Sequence, residues 1–258
     1  MAEQPIIIEK KESIGIITIN RPEVRNALNK EAWVQLRDAF IALDKDADVR
    51  VIVVTGAGDK AFVAGADLNV LKVRSSVETF YGETPGYVDE IQEVSKPTIA
   101  MINGFCMGGG LEVALGCDIR IASDDAKIGQ TEINVGILPG CGGTQRLSRV
   151  VGLAKAKELI FTGKVISAQE AERIGLVNQV VVKAELLAET MKMAQSIAAK
   201  SPLTINVAKK VVNKGFDTDL ASGLRMEKFA QSFVFSTQDH LEGINSFLEK
   251  RDPKFQGK

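Results

Sequence analysis

Apolar and polar positions along the chain change rhythm several times, and each rhythm implies an element. "PIIIEKKESIGIITIN" (5–20) has two apolar bursts around a charged turn, which predicts a β-hairpin. "EAWVQLRDAFIALDKD" (31–46) places Trp33, Leu36, Phe40 and Leu43 at helical spacing. "VRVIVVTG" (49–56) and "KPTIAMING" (96–104) are apolar enough for strands buried on both faces, and "CDIRIAS" (117–123) reads as another strand. Between them, "SVETFYGETPGYVDEIQEVS" (76–95) is partly helical and interrupted by "GETPG", and "GGLEVALG" (109–116) opens a short helix. Strands alternating with helices predict an α/β architecture with crossover connections.

The last third is helical in pattern. "GLAKAKELIFTG" (152–163) predicts a helix, and "SAQEAERIG" (167–175) a shorter one, with Ser167 and Glu170 at capping-box spacing and Gly175 as its stop. "LVNQVVV" (176–182) is a short strand. Three helical segments follow, at 184–200, 201–215 and 219–237, the second opening on Ser201-Pro202 as N-cap and first helical residue. A mixed body of about 180 residues thus leads into a helical tail, with no low-complexity linker between them. We place the division at 1–195 and 196–258. The tail carries Phe229, Phe233, Phe235 and Phe247 between Leu220 and Phe247, more aromatic surface than a thin helical layer covers within one monomer. This predicts a homo-oligomer.

Composition narrows the possible partners. The 32 basic and 33 acidic residues nearly cancel, and no basic run of five or more occurs, so nothing points to nucleic acid. No apolar run approaches the roughly 18 residues of a membrane span, and "MAEQPIIIEKKE" resembles neither a signal nor a transit peptide. A cytoplasmic protein is expected. Cys106, Cys117 and Cys141 fit no zinc spacing and read as reduced, mostly buried thiols. His240 is the only histidine, which excludes multi-histidine metal sites and argues against a Ser-His-Asp hydrolase. Its setting, "STQDHLEG", suits a surface residue near a helix start.

The glycines complete neither a dinucleotide fingerprint, at "GAGDKA" or "GCGGTQ", nor a P-loop, at "TGKV". A third use suits them better. Gly108 to Gly110 join a strand to a helix, where N–H groups are unpaired and a ligand oxygen can approach closely. That describes half of an oxyanion hole, and the turn in "FVAGADL" (62–68) offers the other half. Each turn alone also reads as simple tight packing. Glu112 in the first helical turn either complements the helix dipole or does chemistry. Glu132, in "GQTEINVG", reads alone as a solvated loop residue, and "GILPGCGGTQRL" (136–147) as either punctuation or a second helix N-terminus aimed at a site.

Together the segments are far more specific. "NRPEVRNALN", "KAFVAGADL", "KPTIAMINGFCMGGGLEVALGCDIRIAS", "IGQTEINVGILPGCGGTQRL", "ISAQEAERIGLVNQVV" and "FLEKRDPKF" stand in this order along essentially the whole chain. In them the chain resembles the crotonase superfamily, and within it the enoyl-CoA hydratases. The resemblance implies a spiral of repeated ββα units with a helical C-terminal oligomerisation region, assembled as trimers or as hexamers made of two trimers. It implies an oxyanion hole from the N–H groups of Ala66 and Gly109, and a catalytic pair at Glu112 and Glu132. We assign the water to Glu112 and the proton at C2 of a trans-2-enoyl thioester to Glu132, with a concerted step in which the pair shares both roles as the alternative. No metal or redox cofactor is implied, since coenzyme A is part of the substrate.

The resemblance also implies CoA contacts along Ala66, Asp67, Leu68 and Asn69 and at Gly109, with Arg25 and Lys60 near the phosphates and Lys250 reaching a neighbouring subunit's CoA. Asn69 stands where many relatives have lysine, which weakens a charge contact there. Arg25, Lys60 and Lys250 each also read as solvated surface charges, equally so for Arg25 and Lys250. The segment 75–92 is expected to line the acyl pocket, with Phe80, Tyr81 and Tyr87 either shortening it or pointing elsewhere. The rivals are an isomerase on the same fold, which needs one proton shuttle, and a nucleic-acid-binding relative, whose Lys-rich helix is not evident.

Overall fold

A computed structural model describes residues 4–258 and, within them, all side chains but those of Asn69 and Pro85. The chain opens with the expected hairpin, β1 (Ile6–Lys11) against β2 (Ile14–Ile19), antiparallel with Ile6 opposite Ile19. Helix α1 (Lys30–Lys45) follows, its first turn capped by the Asn29 side chain, which accepts from the Ala32 N–H. It buries Trp33, Leu36, Phe40 and Leu43, the stripe its spacing predicts.

From here the chain repeats one path. A strand enters a large sheet, the next strand enters a small sheet, and a helical stretch returns. The first unit is β3 (Val51–Gly56), β4 (Ala61–Val63), then α2 (Leu68–Val73), α3 (Ser76–Tyr81) and α4 (Thr84–Glu93). The second is β5 (Thr98–Ile102), β6 (Phe105–Met107) and α5 (Gly109–Gly116). The third is β7 (Ile119–Ser123), β8 (Lys127–Gly129), a 3-10 turn at Glu132–Val135, α6 (Gly143–Val151) and α7 (Leu153–Thr162). Then come β9 (Ile166–Ser167), α8 (Ala168–Arg173) and β10 (Gln179–Val181). The large sheet has the order β1-β2-β3-β5-β7-β10, parallel beyond the hairpin; the small one is β4-β6-β8-β9, with only β8–β9 antiparallel. This is a spiral of ββα units.

Some local expectations change. The break at "GETPG" narrows to Gly82 and Glu83, because Ser75 closes a full capping box with Glu78 and α4 restarts at Thr84. Ser167 caps α8 through the Glu170 N–H at 3.2 Å, but the Glu170 carboxylate turns to Lys164 and Arg173 instead of completing a box. Beyond β10, α9 (Leu186–Ala198) runs through residue 195 without a break. It lays Leu186, Ala194 and Ala198 on the outer face of the large sheet, against Val51, Val53, Ile99 and Ile121. The division expected between 195 and 196 therefore falls inside a helix that belongs to the body.

The tail proper is α10 (Pro202–Phe216), α11 (Leu220–Phe235) and α12 (Gln238–Leu248). Ser201 caps α10 and donates its hydroxyl to buried Asp239 at 2.7 Å. Arg50 of the body reaches the carbonyls of Ala198 and Phe255, at 3.0 and 2.9 Å, and holds the C-terminal segment down. Neither α10 nor α11 has a fully buried residue in the single chain. His240 sits near the start of α12 as expected, half-buried and stacked on Phe235 at 4.2 Å. Cys106 and Cys117 are buried free thiols, Cys141 is half-buried, and burial pushes the Cys117 thiol up to about 12. No described helix is long and apolar enough to cross a membrane.

Candidate active site

The parallel ladders of the small sheet bring two turns side by side. Strand β4 leads to Ala64–Ala66, and its neighbour β6 leads to Gly108 and the start of α5. Ala66 bridges Leu28 in a parallel arrangement. Leu28 donates to the Gly65 carbonyl and accepts from the Asp67 N–H, so the Ala66 N–H between them points away. Gly109 is the first residue of α5, where no helical acceptor exists for its N–H. Neither N–H has a partner among the described residues. A Cβ built on Gly109 would lie 4.0 Å from the Ala66 nitrogen and 3.3 Å from the Trp33 ring. The two free donors therefore adjoin, backed by an indole.

Glu112 follows one turn on. It is 2% exposed, and its Oε1 accepts from the N–H groups of Cys141 at 2.6 Å and Gly143 at 2.8 Å. Those donors are the end of the "GILPGCGG" turn and the first residue of α6, so this is a second helix N-terminus aimed inward. Burial raises the Glu112 carboxyl to about 7; the Gly143 N–H opposes the rise, nearby Glu132 adds to it, and the Cys141 N–H and Arg146 oppose it.

Glu132 opens the 3-10 turn after β8 and is half-buried, not solvated. Its Oε1 accepts from the Gln130 amide at 2.8 Å, while Oε2 is buried without a hydrogen-bond partner in the chain. Burial raises this carboxyl too, and the Gln130 amide opposes the rise. The carboxylate rests on Gly108, whose φ of 50° and missing side chain allow the approach. Two carboxylates from different repeats thus meet beside the free N–H pair. Gln130, 1% exposed, was not singled out from sequence: a lone glutamine two residues before a loop carboxylate carries no signal of its own.

A cavity of about 570 Å³ opens from Leu28, Trp33 and Ala66 and runs along α2 and α3 to Tyr81 and Tyr87. Tyr87 is buried, its hydroxyl donating to Glu83 at 2.8 Å, and Arg37 lies 4.7 Å from its ring. Phe80 is largely exposed and packs edge-on to Tyr81. Asp67 heads α2, its carbonyl accepting from Val70 and Leu71. Leu68 is 60% exposed, and the Asn69 side chain lies outside the described residues.

The basic candidates divide. The Arg25 guanidinium lies 5.7 Å from the half-exposed Phe105 ring, and the Phe105 N–H donates to the Lys60 carbonyl, so the Lys60 main chain runs beside the same residue. Phe105 was not singled out, because nothing in "GFCMGG" separates a surface ring from a core one. Lys250 is exposed after α12 and makes no described contact with the other candidates.

Fold and site define a class: a ββα spiral that sets one buried and one half-buried carboxylate near two free main-chain donors, with a cavity of mixed apolar and charged lining opening at Ala66. The sequence profile described as enoyl-CoA hydratase/isomerase matches residues 9–258. The chain is 45% identical, over all of both sequences, to a protein of Syntrophomonas wolfei named crotonyl-CoA hydratase. It is 41% identical to a short-chain-enoyl-CoA hydratase of Clostridium acetobutylicum, over 95% of each chain. Its structure superposes on an enoyl-CoA hydratase of Bacillus anthracis with a TM-score of 0.95 and 39% identity, covering 99% of this chain and 100% of the other. The chain belongs to the enoyl-CoA hydratase/isomerase family, and its fold is the crotonase spiral its motifs led us to expect.

Proposed function

We propose that the protein is an enoyl-CoA hydratase, a hydro-lyase that adds water reversibly across the 2,3 double bond of a short trans-2-enoyl-CoA. The observation that carries this reading is the meeting of Glu112 and Glu132 beside the N–H groups of Ala66 and Gly109. Water adds at C3 because the thioester carbonyl withdraws electrons from it. The two N–H groups hydrogen-bond the thioester oxygen and stabilise the enolate-like charge that develops there. Removal of one such donor typically costs about 3–4 kcal/mol of transition-state stabilisation. Both protein donors bond Oε1 of Glu112, which leaves Oε2 to orient a water and take its proton. Glu132 has one oxygen held by Gln130 and one without a partner, an arrangement suited to an acid that delivers a proton to C2. An isomerase would need only one shuttle, so two close carboxylates favour hydration.

Coenzyme A would lie along Ala66–Asn69, its phosphates near Arg25 and Lys60, with Lys250 serving a neighbouring subunit's ligand. On this reading the reaction takes no resident metal or redox group. The names of the two relatives support a short acyl chain. The exposed aromatics of α11 and α12 support a trimer or a hexamer of two trimers, and we place the enzyme in the cytoplasm. Enoyl-CoAs of increasing chain length, followed by loss of the conjugated thioester absorbance, test the activity. Turnover should be highest at four to six carbons; no loss of absorbance with any of them would refute the reading.

A further inference from the structure

The Glu112 cradle is itself held by one side chain. Arg146, in the first turn of α6, is 14% exposed and forks three ways. Nη2 meets Asp89 at 2.6 Å and Nε meets Gln92 at 2.6 Å, both on α4; Nη1 donates to the Cys141 carbonyl at 3.1 Å. That carbonyl lies between the two N–H groups that converge on Glu112 Oε1. Gly142, at φ 95°, bends the chain so that they converge, and any Cβ there would collide with the Arg146 guanidinium. Turn, glycine and guanidinium therefore form one packed unit. Its other end is α4, whose Thr84 and Tyr87 line the cavity that opens at Ala66.

We propose that Arg146 is a positioning residue for the hydration step: by bridging α4 to the Cys141 carbonyl it fixes the turn whose N–H groups aim Glu112, and it ties that aim to the wall of the acyl cavity. The proposal rests on the role given to Glu112 above. Arg146 spends its guanidinium on Asp89, Gln92 and the Cys141 carbonyl and does not line the cavity at Ala66, so its effect must pass through Glu112. It also supplies a positive charge that favours the ionised carboxylate. The other groups around Glu112 do not replace it. Glu132 and Cys141 face it from the 130–143 segment, and Arg74, just after α2, acts on Cys141 while its guanidinium donates to the Glu78 carbonyl. On α6, Arg149 pairs with Asp217; on α4, Glu90 faces Arg37 and Glu93 pairs with Lys214. Strand β4 has no titratable side chain, and β6 has only Cys106, which interacts with Arg120 and Cys117.

The test is the pH dependence of steady-state hydration by the intact protein, compared for wild type, Arg146→Gln and Arg146→Lys. Absence of hydration by the wild type would overturn the assigned function and is thereby distinguished from a failure at Arg146. Given an active wild type, Arg146→Gln should lose about tenfold to a hundredfold in kcat, as for a catalytic group displaced by about 1 Å. KM should change little, and the acid limb of the rate profile should move to higher pH. Arg146→Lys keeps the charge but cannot fork, so its limb should stay in place while kcat stays low. That pattern decides the question even where Arg146→Gln fails to fold. Wild-type kcat in Arg146→Lys, or an unshifted limb in folded Arg146→Gln, would reduce Arg146 to a structural brace and overturn the proposal.

Discussion

The Glu132 carboxylate rests on Gly108: a Cβ built on that glycine would lie 3.1 Å from Oε1 and 3.3 Å from Cδ. The glycine that caps the helix carrying Glu112 is thus also the floor under its partner. Two demands meet at this residue, a φ of 50° that side chains resist and a contact so close that a Cβ would push the Glu132 carboxylate aside by a few tenths of an ångström. Gly108→Ala should therefore destabilise the fold by about 1–3 kcal/mol and also displace Glu132. Turnover per folded molecule should fall at least tenfold. A variant that melts earlier with unchanged turnover would show that Glu132 tolerates the displacement.

Each carboxylate is assigned a proton, and a general acid or base contributes about 10²–10⁴-fold. Glu112→Gln and Glu132→Gln should each lose activity on that scale while still binding acyl-CoA, since the nucleotide end is held elsewhere. Binding measured by calorimetry separates this from misfolding. Near-normal turnover in either variant would remove that residue from the mechanism.

The raised Glu112 carboxyl has a consequence for stability. Its value goes from 4.5 to about 7 on folding, so between those pH values the folded state holds the proton that the unfolded state has released. Stability is favoured below about 4.5 and falls as pH rises through 7. At 1.36 kcal/mol per pH unit the loss reaches about 3 kcal/mol. Glu112→Gln cannot ionise, so its stability relative to wild type should climb between pH 4.5 and 7 and level off above. Urea titrations at pH 5 and pH 8, at one protomer concentration, measure the difference. A gap that does not depend on pH would mean that Glu112 titrates normally in the fold.

Much of this site was legible because its parts sit on long, periodic elements. α1, β3, β5 and β7 each declare themselves by several apolar residues in a row or at helical spacing. The small sheet did not. β4, β6 and β8 have three residues each, too few to show a period, and "FCM" read as part of a glycine turn. Without that sheet, nothing in the residues alone brings Ala66 beside Gly109; the family motifs supplied the pairing. Glu132 shows the same limit, since its burial comes from Gly108 and Gln130 meeting it in space. The length of the body was also misread, because α9 has the helical pattern of the tail but covers the sheet.

The tail leaves Phe229, Phe233 and Phe247 at 78%, 52% and 84% exposure in the single chain. Exposed apolar surface of this kind marks an interface. Light scattering at micromolar concentration should give the mass of three or six chains, and Phe229→Asp with Phe233→Asp should shift it toward the single chain. A monodisperse wild-type monomer would exclude the trimer.

Gly109 and Gly110 are adjacent in sequence and have opposite surroundings, which makes them a matched test of the free N–H pair. A methyl on Gly110 would strike the Val63 carbonyl inside the packed joint between α5 and β4. It cannot be accommodated without moving backbone, so Gly110→Ala should be costly to stability. A methyl on Gly109 meets only the Trp33 ring at 3.3 Å, which can yield by a few tenths of an ångström, and enters the gap beside the Ala66 nitrogen. Gly109→Ala should therefore fold nearly normally. Its effect falls on the donors, whose displacement by about 1 Å costs on the order of 10²-fold in turnover. The loss should appear in kcat more than in KM, because the nucleotide end of CoA keeps much of the ground-state affinity. Melting temperature and turnover per folded molecule, measured on both variants, separate the two roles. If Gly109→Ala turns over normally, its N–H is not a donor to the thioester.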